Sequence, residues 1–180
     1  MREHLKPSTE ITHLKGMKTK TWRNRIQLLL KTDSSKSIFS LMKNRPYRPT
    51  ADDVSQWEQS LESLLSNKYG KAAFYIFLKS EFCEENMEFW TACEDFRQQT
   101  SEKDLASKAS SIYEEFIRNE APKEINLDFH TKNAIMQSLQ RPTASSFLAA
   151  QRKAFSLMEN NAYPRFLHSD LYRQLSHGAS

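Results

Sequence analysis

Three glycines in 180 residues, Gly16, Gly70 and Gly178, set the first limit on this chain. Loops that wrap phosphate with backbone N–H groups need several glycines close together, so neither a dinucleotide fingerprint nor a Walker loop can be written. A sandwich or barrel of short strands needs frequent tight turns, and this chain has few residues to make them. Helices have no such need. Apolar residues at 38% and aromatics at 11% are enough to fill a packed core. The length suits one domain with an extension and is too short for two independent cores.

The apolar pattern agrees with helix. From Thr50 onward Val54, Trp57, Leu61, Leu64 and Leu65 recur at the helical period, which predicts one helix with a buried face. Ala72–Leu78 is the longest apolar run, seven residues. Flanked by Lys71 and Lys79 and without a hairpin signal, it reads as helix. After Ser80, the residues Met87, Phe89, Trp90, Cys93 and Phe96 trace one thick stripe. Ser101 and Asp104 have capping-box spacing ahead of Leu105, Ala109, Ile112, Tyr113, Phe116 and Ile117. Pro122 forces a break and Asp128 can cap the next helix. Thr143, after Pro142, begins another that buries Phe147, Ala154, Phe155 and Met158. Tyr163 to Leu175 places Phe166, Leu167, Leu171 and Leu175 on a common side. No stretch of five residues alternates as a strand would, so the expected architecture is an all-α bundle.

Charge divides the chain. Residues 1–50 carry 12 basic and 3 acidic side chains, +9, and the other 130 carry 14 and 19, −5, which together give the net +4. The boundary falls in the Asn44 to Thr50 stretch, where Pro46 and Pro49 discourage helix and Thr50 with Asp53 starts the next one. The expected organisation is an arm over 1–49, a domain over 50–176 and a short tail over 177–180. Within the arm a helix is expected over about 14–31. Its basic residues are Lys15, Lys18, Lys20, Arg23, Arg25 and Lys31, with no acidic one, and Trp22, Ile26, Leu29 and Leu30 form its apolar stripe. Such a helix suits the headgroup region of a membrane, where the six cations could contribute at most about 6 kcal/mol toward anionic lipid. A solvated helix packed on the domain is the alternative. Nucleic-acid binding fits less well, because the helix has one aromatic and the domain is acidic.

Catalytic and metal templates find no match. The histidines (His4, His13, His130, His168, His177) lack H-E-x-x-H spacing, and there is no G-x-S-x-G. Cys83 and Cys93 form no C-x-x-C, are too few for a structural zinc site, and suit a reducing compartment. Glu84 and Glu85 are neighbours in sequence but project about 100° apart on a helix, a poor arrangement for sharing a proton. The apolar run of seven is far short of the roughly 20 residues of a membrane span, and no secretory leader is expected. The expectation is therefore no catalysis of its own, no cofactor and no metal, in a domain that works by presenting a surface.

Three segments give that surface an identity: SEFCEENMEFW at 80–90, APKEINLD at 121–128 and LMENNAYPRFL at 157–167. In this order and spacing they resemble the signature segments of the regulator of G-protein signalling domain, over about Val54 to Leu175. The arm, with Trp22-Arg23-Asn24-Arg25 leading into Leu28-Leu29-Leu30, resembles the membrane-targeting helix of the small single-domain members. The resemblance implies about nine helices, a central antiparallel four-helix bundle plus a terminal subdomain. It also implies a GTPase-activating protein that binds the switch regions of GTP-bound Gα and holds Gα's own catalytic groups in their transition-state arrangement, ending receptor signalling without donating an arginine finger. A binder that blocks effectors without accelerating hydrolysis is the alternative.

By the same resemblance the Gα-facing residues are Asn86, Asn126, Glu81, Cys83, Glu85, Leu157, Asn161 and Arg165. Asn86 would clamp partner backbone, and Asn126 would reach the Gα glutamine and its water. Outside the resemblance Asn86 could be an ordinary helix-start residue, Asn126 an Asx-turn and Leu157 a core leucine. Glu81 and Glu85 would meet basic groups, or simply favour a helix dipole. Arg165 in most relatives pairs with an acidic residue at the position of Asn161, which here is neutral. Most small relatives also have Ser at the position of Cys83. The Cys83 and Asn161 pair is similar to that of a member favouring the Gq class, although that member differs at Ala162 and His168. Leu148 replaces an acidic residue common in relatives, for which there is no physical account. The expected partners are thus a Gα subunit, of the Gq class with the Gi class second, and anionic lipids of the inner plasma membrane. No nucleic acid is expected. The chain is expected to be monomeric, in the cytoplasm and at that membrane face.

Overall fold

The computed structural model describes residues 49–178, within the second of the chain's two units, Pro49–Ser180. The arm, with its expected helix over about 14–31, lies outside the described residues. Helix α1 (Ala51–Trp57) opens with a complete capping box: the Asp53 N–H donates to Thr50 Oγ1 at 3.1 Å and the Thr50 N–H to Asp53 Oδ2 at 2.9 Å. The single helix expected through Leu65 is instead two. Ser60 accepts from the Ser63 N–H at 3.0 Å and so starts α2 (Leu61–Ser66) anew. Val54, Trp57, Leu61, Leu64 and Leu65 are all buried across the break.

Asn67 caps α3 (Lys68–Ser80), which buries the whole of the apolar run from Ala73 to Leu78. A Cβ on Gly70 would stand 2.6 Å from the Leu64 carbonyl and 2.9 Å from the Trp57 indole nitrogen, so the α2–α3 approach requires the missing side chain. After a short connection come α4 (Glu85–Arg97) and α5 (Glu102–Ile112), the latter widening into a π turn at Tyr113–Ile117. Ser101 caps α5 by accepting from the Asp104 N–H at 3.2 Å, half of the expected box. Asp128 caps α6 (Phe129–Ser138) as expected.

Thr143 does not begin a helix. Its segment is a turn closed by the Thr143 N–H donating to Ser146 Oγ at 2.9 Å, and α7 runs Leu148–Leu157. A second π turn, Met158–Ala162, carries α7 into α8 (Tyr163–Leu167), with the Tyr163 N–H reaching back to the Met158 carbonyl. Pro164 has no N–H for a regular ladder, and a π turn one residue ahead of it accommodates the change of repeat. The final stretch breaks before α9 (Asp170–Gly178), so Tyr172 takes the buried position expected of Leu171.

Among the described residues every regular element is helical, nine α segments in chain order with the two π turns. Helices α4 to α7 form a four-helix bundle around Phe89, Phe96, Phe116, Ile135 and Phe147, with the Phe96 and Phe147 rings edge to face at 5.1 Å. Trp90 and Phe155 are only half-buried, and the Lys71 ammonium lies 5.3 Å from the Trp90 ring. A terminal layer joins α1, α2, α3, α8 and α9 around Trp57, Phe74 and Phe166. It is pinned by the Tyr163 hydroxyl donating to the Trp57 carbonyl at 2.6 Å and the Tyr172 hydroxyl to Glu58 at 2.7 Å. Among the described residues no helix is long and apolar enough to cross a membrane.

Candidate functional site

The connection from α3 to α4 is tight. The Cys83 N–H donates to the Leu78 carbonyl at 3.0 Å, and Phe82 between them takes φ 57°, a left-handed conformation costly for a side chain of that size. Its ring is 92% exposed. Neither residue periodicity nor spacing singled out Phe82. A hydrophobic ring standing in water on a strained loop is one that gains most from a partner.

Beside it Glu81 is bound within the chain. Arg165, on α8, donates to the Glu81 carboxylate from Nη2 at 2.6 Å and from Nε at 3.2 Å, and its Nη1 donates to the Asn161 carbonyl at 2.7 Å. The missing acidic partner at 161 is thus replaced by one from α3's end, and the hydrogen bond to Glu81 raises the Arg165 pKa. Burial, then the charges of Glu81 and Glu85, push the Cys83 thiol up, so it is a neutral contact surface rather than a nucleophile. Glu85 is also raised, chiefly by burial.

Asn86 is the second residue of α4 and is half-buried. It does not cap: Glu84 holds the cap position without a side-chain bond. The Asn86 amide donates to Glu85 Oε1 at 3.2 Å, while its own carbonyl oxygen is buried with no hydrogen-bond partner among the described residues. A buried acceptor left without a donor is costly to the fold.

Asn126 is held out from a pinned loop. Ile125 and Leu127 on either side are buried, so Asn126 between them faces solvent. The Ile125 N–H donates to the Phe116 carbonyl at 3.0 Å. Lys123, on one side of this point, bonds Glu88 and, at 3.1 Å, Glu115. On the other, Asp128 is bound by Lys153 of α7, and the hydrogen bond from Lys153 holds its carboxyl well below the usual range. No hydrogen bond occupies the Asn126 side chain among the described residues, so it makes no Asx-turn.

An open cleft of ≈ 520 Å³ follows, lined by Asn126, Leu157, Asn161, Asn160, Ser156 and Arg152 among others. Leu157 is 38% exposed at its wall and is not a core residue. Asn160 and Asn161 donate to the Ser156 and Leu157 carbonyls at 2.8 and 3.2 Å, which fixes them on the π turn. Asn126, Leu157 and Asn161 therefore share one cleft, and Arg165 ties Asn161 to the Glu81 loop. The Glu88–Lys123 ion pair links the helix of Asn86 to the Asn126 loop. Glu88 and Lys123, with Arg152 and Asn160, were not among the sequence candidates. No group of three or more potential metal ligands occurs among the described residues. What the arrangement offers is amides, one leucine and paired charges, suited to gripping a protein loop.

The chain matches the model of the Regulator of G protein signaling domain over residues 60–175. It is 46% identical to regulator of G-protein signaling 18 from Rattus norvegicus, over 90% of this chain and 71% of that protein. It is also 46% identical to regulator of G-protein signaling 5 from Mus musculus, over 82% of this chain and 85% of that one. Regulator of G-protein signaling 8 from Homo sapiens is 44% identical, over 89% of each.

Proposed function

The chain belongs to the regulator of G protein signaling family, and on that premise we propose that it is a GTPase-activating protein for heterotrimeric G-protein α subunits. It would bind the switch loops of GTP-bound Gα and act by preorganisation. Groups fixed beforehand favour the geometry through which hydrolysis passes, and the chemistry remains that of Gα. The observation that carries this is Asn126: an unbonded amide on a loop pinned to either side by Lys123 and Asp128 loses little entropy on engaging a catalytic glutamine and water. Asn86, half-buried at the start of α4, would by the motif resemblance hold partner backbone at the other side.

Preference for the Gq class is part of the proposal and rests on two side chains. Cys83 is bulkier than serine, and Asn161 lacks the charge that most relatives place there; both changes would weaken contact with Gi-class loops. The segments around them resemble regulator of G-protein signalling 2, whereas the relatives matched over most of the chain are regulators 18, 5 and 8. Delivery of a monomer from the cytoplasm to the inner plasma membrane by Lys15, Lys18, Lys20, Trp22, Arg23, Arg25, Ile26, Leu29 and Leu30 is supported by the sequence pattern alone. Liposome sedimentation should weaken steeply with salt; binding indifferent to salt would contradict the electrostatic part.

Single-turnover GTP hydrolysis by Gq- and Gi-class subunits, with and without the protein, tests the main proposal. Acceleration is expected, larger for Gq. Tight binding without acceleration would favour the effector-blocking alternative instead.

A further inference from the structure

Two amides matter for the proposed activity, and they sit on different elements, Asn86 on α4 and Asn126 on the loop before α6. Apolar packing joins those elements through the shared core of Phe89, Ile125 and Leu127, and one ion pair joins them at the surface end. Glu88, two residues past Asn86 on the same helix, accepts from Lys123, three residues before Asn126. Glu88 is only 8% exposed, and its other oxygen accepts from the Tyr75 hydroxyl of α3 at 2.6 Å. Lys123 has a second carboxylate, Glu115 at 3.1 Å, but that one lies on the π turn to which the loop is already hydrogen-bonded, the Lys123 N–H donating to the Glu115 carbonyl at 3.0 Å. Of the two carboxylates, Glu88 is the one that links Lys123 to α4. Burial works against the Lys123 charge, and the bonds from Glu88 and Glu115 outweigh it, so the ammonium stays charged.

We propose that the Glu88–Lys123 contact is a positioning device that sets the spacing between Asn86 and Asn126, and with it the preference for the transition-state form of Gα. Its strength lies in geometry. Tyr75 fixes the rotamer of Glu88 from α3, so the carboxylate cannot swing to follow a drifting loop. A ground-state partner meets each amide separately and tolerates a small error in their spacing, whereas the hydrolysis geometry needs both at once. Loosening the contact should therefore lower affinity for the transition-state form more than affinity for the GTP form.

This rests on the Gα reading above, and the test separates the two. Affinity is measured for Gα carrying GDP with aluminium fluoride and for Gα carrying a non-hydrolysable GTP analogue, and the ratio is the readout. Lys123→Met alone leaves Glu88 as an uncompensated buried charge and threatens the fold. The double variant Glu88→Gln/Lys123→Met keeps the Tyr75 bond and removes both charges. In it the ratio should fall about tenfold, with a thermal melt near wild type. Lys123→Arg should restore most of the ratio, and Glu115→Gln should leave it unchanged. An unaltered ratio in the double variant, or an equal loss in Glu115→Gln, overturns the proposal. Should the double variant fail to fold, Glu88→Gln decides: a lowered ratio supports the device and an unchanged one refutes it. A wild-type protein with no preference between the two Gα forms would refute the underlying function instead.

Discussion

Arg165 closes on Glu81, 84 residues earlier in the chain, with two of its nitrogens on one carboxylate and the third on the Asn161 carbonyl. The fork joins the α3–α4 connection, the second π turn and α8 in one rigid rim. Both side chains are exposed, so the pair should add less than about 1 kcal/mol to stability. Arg165→Ala is expected to melt within a few degrees of wild type yet bind Gα more weakly. Arg165→Lys should not restore binding, because an ammonium cannot reproduce a planar two-point contact. Equal affinity of Arg165→Lys and wild type would contradict this.

At Phe82 stability and binding should move in opposite directions. Glycine accepts φ 57° without a steric cost, so Phe82→Gly should stabilise the fold by about 0.5–1 kcal/mol in denaturant titration. The same change removes an exposed ring beside the proposed Gα-binding residues Glu81 and Cys83, and should weaken binding. A loss of stability would mean the ring packs on the domain after all.

Gly70 is expected to be intolerant. A methyl group 2.6 Å from the Leu64 carbonyl meets backbone, which cannot rotate away. Gly70→Ala should cost about 1–3 kcal/mol despite its better helix propensity. Urea unfolding measures it, and a stabilised variant would rule out the close α2–α3 packing.

Acid should release the anchor at Asp128. Its folded pKa lies below the ordinary 3.8, so its contribution is complete above that value and is lost as pH falls through it toward the lower folded one. The melting-temperature gap between wild type and Asp128→Asn should be widest near neutral pH and shrink below about pH 4. A gap that persists unchanged at pH 2 would show that the carboxylate charge contributes nothing.

Much of the fold could be read from periodicity because burial in most helices is one-sided, α3 with its six consecutive buried residues excepted. The five residues from Val54 to Leu65 are core, and so are Met87, Phe89, Cys93 and Phe96. Breaks were harder to see. Ser60 ends one helix and starts another without glycine or proline, by competing with a hydroxyl for a backbone N–H, and at Thr143 the Ser146 hydroxyl takes the backbone N–H into a turn. Neither π turn leaves a residue signature, since each depends on which carbonyl an N–H happens to reach. At the site, Asn86 and Asn126 were found through motif resemblance. Phe82 does not stand out in the sequence because φ is not written there, and Lys123 does not because its partner Glu88 lies 35 residues away.

The account rests on Asn126 serving the transition state more than the complex itself. Asn126→Ala should leave stability within about 0.5 kcal/mol, since Ile125 and Leu127 keep the loop in place. It should also cut the acceleration of hydrolysis about 100-fold, the usual cost of removing one preorganised polar group.

The most direct measurement is the affinity of the wild-type protein for one Gα subunit in two states, bound to GDP alone and bound to GDP with aluminium fluoride. Preorganisation predicts binding at least about 100-fold tighter to the second. Equal affinity for both would contradict it.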